Sequence, residues 1–156
     1  MFYAGDEIGT INDYSFLQSE DKKGDSRWVN RPQQDWETIG KLSKKKLPQS
    51  KIFHTLKRLV QIRKESPVFA DNGQPTLHHT GNQHIFAFER THGAKNGLLV
   101  LCNFDENSQV VDTSWIMKLG YFSKGEPEDL VSDEKVSLQS GLLQLNPYQI
   151  LWIKKT

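Results

Sequence analysis

Cysteine is almost absent: Cys102 stands alone among 156 residues, so no internal disulfide can form, and no Cys and His spacing resembles a zinc site. A chain of this kind fits a reducing cytoplasm. Charge of one sign is lacking too, with 20 Lys and Arg against 19 Asp and Glu and a net charge of +1. That balance offers no long-range attraction to nucleic acid or to an anionic membrane, and neither is expected as a partner. No apolar run reaches the length that crosses a bilayer, and residues 1 to 30 lack the basic, apolar and small-residue order of a signal peptide. Apolar residues make up 36% of the chain and mean hydropathy is −0.62. A core of ordinary size is therefore expected over part of the length only.

Regular periodicity is missing from residues 1–47. Met1-Phe2-Tyr3-Ala4 reads as the end of a strand whose first half is absent, running straight into Gly5-Asp6-Glu7-Ile8-Gly9-Thr10. About forty residues rich in Asp, Ser, Lys, Gln and Asn follow, and neither the helical nor the strand period holds in them for long. Phe16, Leu17, Trp28 and Trp36 argue against simple disorder, and a loop with embedded aromatics needs a surface to lie on. The next segment is periodic. Pro48 suits a first helical turn, and Ile52, Phe53, Leu56, Leu59 and Val60 form one apolar stripe, with most Lys and Arg off it. Ser66-Pro67 ends that pattern, which predicts one amphipathic helix from about Gln49 to about Glu65.

From Gly73 the pattern changes to short strands, expected at Pro75–His79, His84–Arg90, Gly97–Phe104, Gln109–Asp112, Asp129–Val131, Lys135–Leu138, Leu142–Leu145 and Gln149–Lys154. Turn clusters such as Gly81-Asn82 and Asp105-Glu106-Asn107-Ser108 separate them, and Ile85-Phe86-Ala87-Phe88 alternates as a half-buried strand does. The fold class expected is mainly β: an antiparallel β-sandwich over residues 71–156, preceded by one helix and a long loop in residues 1–70.

Three groups of residues invite a chemical reading. Asp6 and Glu7 are adjacent carboxylates, but neighbours in an extended segment face opposite ways, so they make a poor pair for cleaving one glycosidic bond. They suit pocket lining or loop support. Asp25-Ser26-Arg27-Trp28-Val29-Asn30-Arg31-Pro32 with Asp35-Trp36 combines planar guanidinium forks and flat indoles, which fit either a polyol-binding wall or a surface loop with one Arg–Asp pair. His78, His79 and His84 straddle a hairpin without a third ligand at metal-site spacing, so no metal is expected. Cys102, inside an apolar run, reads as an inert thiol, and Trp152 and Tyr148 as core and edge aromatics of the last strand.

Taken together these motifs resemble a known family. Tyr3 to Asp13 resembles the segment after the eighth barrel strand in the alpha-amylase superfamily, glycoside hydrolase family 13, in its amylosucrase branch, and Asp25 to Trp28 with Arg31-Pro32 and Asp35-Trp36 continues the likeness. Leu59 to Lys64 and then Pro67 resemble the eighth barrel helix, and Leu145 to Trp152 the closing strands of domain C. The resemblance implies the C-terminal part of a retaining glucosyltransferase that converts sucrose to fructose and an alpha-1,4-glucan. A sucrose hydrolase, an alpha-glucosidase, and a structural or glucan-binding module are the alternatives. It places the nucleophile, the acid/base and the stabilising carboxylate on barrel strands upstream of Met1, so the catalytic set is absent and the isolated chain is expected to be inactive. It implies no cofactor, with sucrose or alpha-glucan and the missing barrel portion as partners. Arg27 would close the bottom of the sucrose pocket, with Asp6 and Glu7 at its rim; Asn30 stands where that branch has histidine.

Overall fold

The alternation in Ile85-Phe86-Ala87-Phe88-Glu89 builds the central hairpin of the computed structural model. Strand β2 (Ile85–His92) runs antiparallel to β3 (Asn96–Asn103), from Ile85 opposite Asn103 to His92 opposite Asn96. Strand β1 (Thr76–His78) adds to the outer edge of β2, and β6 (Ile150–Lys154) to the outer edge of β3, giving the order β1-β2-β3-β6. A second sheet pairs β4 (Gln109–Asp112) with β5 (Leu142–Leu145), also antiparallel. The structure describes residues 4–43, 46–70, 73–93 and 96–155, so the strand end expected at Met1-Phe2-Tyr3 lies outside the described residues. The chain divides into two compact units, Met1–Leu59 and Val60–Thr156. No helix among the described residues is long and apolar enough to cross a membrane.

In the second unit, one face of each sheet turns inward. Ile85, Ala87, Leu99, Leu101, Val111, Leu143, Leu145, Leu151 and Ile153 meet there with Ile116 and Tyr121. Each Leu or Ile fully removed from water contributes roughly 1.5–3 kcal/mol, so this inner face is what makes the antiparallel β-sandwich stable. The opposite face of the four-stranded sheet carries a smaller cluster, in which Val68 packs with Leu98 and Val100 beside Phe69, Phe88 and Trp152. Val68 and Phe69 belong to a 3₁₀ turn, Pro67–Phe69, which follows the helix end that Ser66-Pro67 marks.

Two expected strands are not built as strands. Around Asp129–Val131 and Lys135–Leu138 there are only isolated bridges, Glu128 with Lys135 and Asp129 with Ile153. The reason is the Asp129 carboxylate, which is buried and accepts the backbone N–H of Trp152 at 2.7 Å, of Ser132 at 3.1 Å and of Val131 at 3.2 Å. Donors that would extend a ladder are bound to a side chain instead, and the segment curls into turns. A short helix, α3 (Ser114–Lys118), fills the return from β4; it is too short to show a period. Its entrance is fixed by the Thr113 hydroxyl, which donates to the carbonyl of Gly141 at 2.6 Å.

The first unit is a chain of turns: 3₁₀ segments at Asp6–Ile8, Ser15–Gln18 and Ser26–Asn30, then the short helix α1 (Trp36–Gly40). The long helix α2 spans Pro48–Glu65. Its expected apolar stripe is only half covered, with Ile52 37% and Val60 40% exposed, whereas Ile62, two residues beyond its end, is buried.

Candidate functional site

Gly5 opens the segment that holds the predicted carboxylates. With φ of 106° it occupies the left-handed region, where a side chain is strained, and an added Cβ would sit 2.8 Å from the Thr10 hydroxyl oxygen. The chain therefore turns sharply. Asp6, Glu7 and Ile8 form a 3₁₀ turn and not the extended segment expected, with Ile8 and Thr10 both donating their N–H to the Gly5 carbonyl, at 3.1 and 2.9 Å. Glu7 bends back, and its carboxylate accepts the Gly5 N–H at 2.8 Å. Glu7 thus holds the loop, while Asp6 is exposed beside it.

Arg27 lies in the third 3₁₀ turn. Its guanidinium makes a fork on Asp25, with Nε to Oδ1 at 2.8 Å and Nη2 to Oδ2 at 2.8 Å, and the same carboxylate caps the turn by accepting the Arg27 N–H at 3.0 Å. These bonds from Arg27 hold the Asp25 carboxyl down at about 2. Trp28 lies between two cations, Lys22 at 4.7 Å and Arg31 at 5.8 Å from the ring. The Asp13 N–H donates to the Val29 carbonyl at 3.0 Å and brings the two loops together.

The meeting of these loops creates a cavity of about 400 Å³ lined by Gly5, Asp6, Thr10, Arg27, Asn30 and Arg31 among others. Two of the three predicted site residues, Asp6 and Arg27, share it; Glu7 is not among its lining residues. A wider cleft of about 830 Å³ beside it is lined by Ile8, Thr10, Trp28, Arg31 and Asp35. Thr10 lines both hollows, and its hydroxyl is buried without a hydrogen-bond partner. Sequence reasoning left Thr10 out, although it closes the same Gly-to-Thr segment. A carboxylate, an exposed guanidinium and an unpartnered hydroxyl around one hollow suit the hydroxyl groups of a sugar. Bond cleavage is another matter, because it needs two carboxyl groups flanking the scissile oxygen, and Glu7 is turned back on its own backbone.

The histidines have local partners. His84 Nδ1 lies 2.7 Å from Asp105, and His78 stacks on Trp115 at 5.1 Å with its Nε2 3.6 Å from Glu89. Glu89 and Tyr121, which the sequence did not single out, form a buried pair in which the phenol donates to the carboxylate at 2.9 Å. Cys102 is half-buried, and burial pushes its thiol up, away from the reactive thiolate.

The second unit can be matched to proteins already described. Residues 76–152 match the family described as maltogenic amylase, C-terminal domain. The maltogenic amylase C-terminal match runs from β1 into β6 and so covers both sheets. Solved structures agree with it. AmyP in complex with maltose is 17% identical, with a TM-score of 0.54 over 69% of this chain and 21% of its own. The trehalose-6-phosphate hydrolase TreA of Bacillus licheniformis is 22% identical, with a TM-score of 0.52 over 67% of this chain and 18% of its own. The trehalulose synthase MutB of Pseudomonas mesoacidophila is 20% identical, with a TM-score of 0.50 over 74% and 19%. At such identities the likeness carries the fold alone, and it spans about a fifth of each of these chains.

Proposed function

We propose that this chain serves as the C-terminal part of an amylosucrase-like retaining glucosyltransferase, with residues 1–70 supplying the end of barrel strand eight, its loop and helix eight, and residues 71–156 supplying domain C. The observation that carries the reading is the match of residues 76–152 to a maltogenic amylase C-terminal domain. The hollow shared by Asp6 and Arg27 supports it further, since those residues would line the glucosyl pocket of the whole enzyme. In that enzyme sucrose would lose its glucosyl group to a carboxylate on the barrel, fructose would leave, and the glucosyl would pass to an alpha-glucan or to water. Residues 4–155 contribute pocket wall and scaffold. No metal or redox group enters the chemistry proposed.

The test compares the isolated chain with the longer polypeptide that carries it, each incubated with sucrose. The chain alone is expected to release no fructose, and the longer polypeptide to release fructose and lengthen an alpha-glucan primer. Arg27→Ala in the longer polypeptide is expected to raise KM for sucrose. Robust turnover by the chain alone, abolished by Glu7→Gln, would overturn the reading.

A further inference from the structure

The turn that carries Arg27 starts from a held backbone. The Asp25 N–H donates to the Lys22 carbonyl at 2.9 Å, and the Asp25 carbonyl accepts the Trp28 N–H at 3.3 Å. From that base one carboxylate takes three donors of a single residue. Asp25 Oδ1 accepts the Arg27 backbone N–H at 3.0 Å and its Nε at 2.8 Å, and Oδ2 accepts Nη2 at 2.8 Å. Main chain and guanidinium of Arg27 are thus tied to the same two oxygens. Arg31, the other cation close to Asp25, is turned to the Trp28 ring at 5.8 Å, which leaves the carboxylate to Arg27.

Packing does not order this side chain, which is 74% exposed. A long arginine left to itself samples many rotamers, and ordering it at the moment of binding costs affinity. An ion pair so open to water adds little to stability, so what the fork supplies is geometry. Asp25 engages Nε and Nη2 and does not use Nη1, which keeps its donors for another acceptor. Arg27 lines the hollow of about 400 Å³ with Asp6, Asn30 and Arg31, whereas Asp25 is not among the lining residues. The carboxylate therefore acts from outside the hollow, on a residue that forms its wall.

We propose that Asp25 is a positioning residue, which holds the Arg27 guanidinium in place at the hollow with Nη1 left to donate to a sugar hydroxyl. The choice of a glucosyl ring as that sugar rests on the function proposed above; the clamp itself rests on the geometry of the turn. Asp25 touches no substrate in this role and moves no proton.

Asp25→Asn separates the clamp from the cap: its amide oxygen can still accept the Arg27 N–H, but the charge that binds the guanidinium is gone. In the chain itself, NMR relaxation of the Arg27 Nε–H group is expected to show an ordered side chain, and an averaged one in Asp25→Asn, with the melting temperature unchanged. In the longer polypeptide, Asp25→Asn should raise KM for sucrose roughly two- to tenfold, the cost of ordering one long side chain on binding, and leave kcat within about twofold. Asp25→Glu should recover part of that loss. Lys23→Ala, which removes the ion pair with Glu20 in the same loop, should leave KM unchanged. Equal order of Arg27 with and without the carboxylate overturns the proposal, as does an unchanged KM in Asp25→Asn. A loss of activity that follows a lowered melting temperature also overturns it, because Asp25 would then be a structural cap. Absence of sucrose turnover in the unsubstituted longer polypeptide refutes the function proposed above, and the order of Arg27 in the chain then decides the role of Asp25 alone.

Discussion

Removing a single hydroxyl tests what holds the second unit together. Tyr121 is fully buried, and its phenol donates to the Glu89 carboxylate at 2.9 Å. Among the described residues no other donor to that oxygen takes over in Tyr121→Phe: His78 Nε2 is 3.6 Å from the other carboxylate oxygen, beyond hydrogen-bonding distance. A hydrogen bond to a charged group is worth about 1.5–3 kcal/mol when its partner is left buried. With roughly 4–8 °C of melting temperature per kcal/mol for a domain of this size, a loss of about 2 kcal/mol lowers Tm by roughly 8–16 °C. Gly97 leaves the room that this hydroxyl occupies, since a Cβ added there would lie 2.8 Å from it. Thermal unfolding of the chain followed by near-UV circular dichroism measures the effect. A double-mutant cycle with Glu89→Gln then isolates the pair. A fall in Tm under about 2 °C, or a coupling energy under about 0.5 kcal/mol, would refute the argument that this buried bond matters. The same geometry fixes a second readout. Desolvation first, and then the neighbouring Glu89, push the Tyr121 phenol far above the ordinary tyrosine range, so in alkaline titration Tyr121 should ionise only as the unit unfolds.

Two further outcomes follow from the first unit. The Asp25 carboxyl titrates at about 2 because Arg27 binds its ionised form, so the stability it contributes is present above the ordinary carboxylate pKa and disappears as pH falls from about 4 through about 2; carbon-detected NMR should show this midpoint rising to the ordinary range in Arg27→Ala. Gly9 has φ of 63° and an added Cβ would lie 2.5 Å from Ile52 Cδ1, so Gly9→Ala should destabilise by at least roughly 1–2 kcal/mol in urea unfolding, and an unchanged midpoint would show that the turn is not held against the helix.

Strand content was legible wherever side chains alternate or run apolar. Gln109–Asp112 and Leu142–Leu145 were expected and are β4 and β5, because burial of every second residue leaves a mark that needs no tertiary knowledge. Asp129 is the opposite case. Its surroundings read as strand, but one carboxylate collecting two backbone N–H groups of its own turn and a third from Trp152 in β6 cannot be inferred from spacing. The candidate site divides the same way. Asp6 was named from residue type and Arg27 from the family resemblance; their sharing of a hollow with Thr10, and the turning back of Glu7 on Gly5, depend on a glycine in the left-handed region.

Composition and periodicity alone determined that the chain holds one helix of real length and a run of short strands, that a single cysteine permits no internal disulfide, and that the net charge is close to zero. These are local or summed properties, so each residue contributes regardless of where the others end up. Which carboxylate meets which guanidinium, which histidine meets Glu89, and which aromatic rings are left in solvent were decided only by the tertiary structure. Those outcomes depend on distances between residues far apart in the chain, and such distances are set when the two sheets close on their shared core.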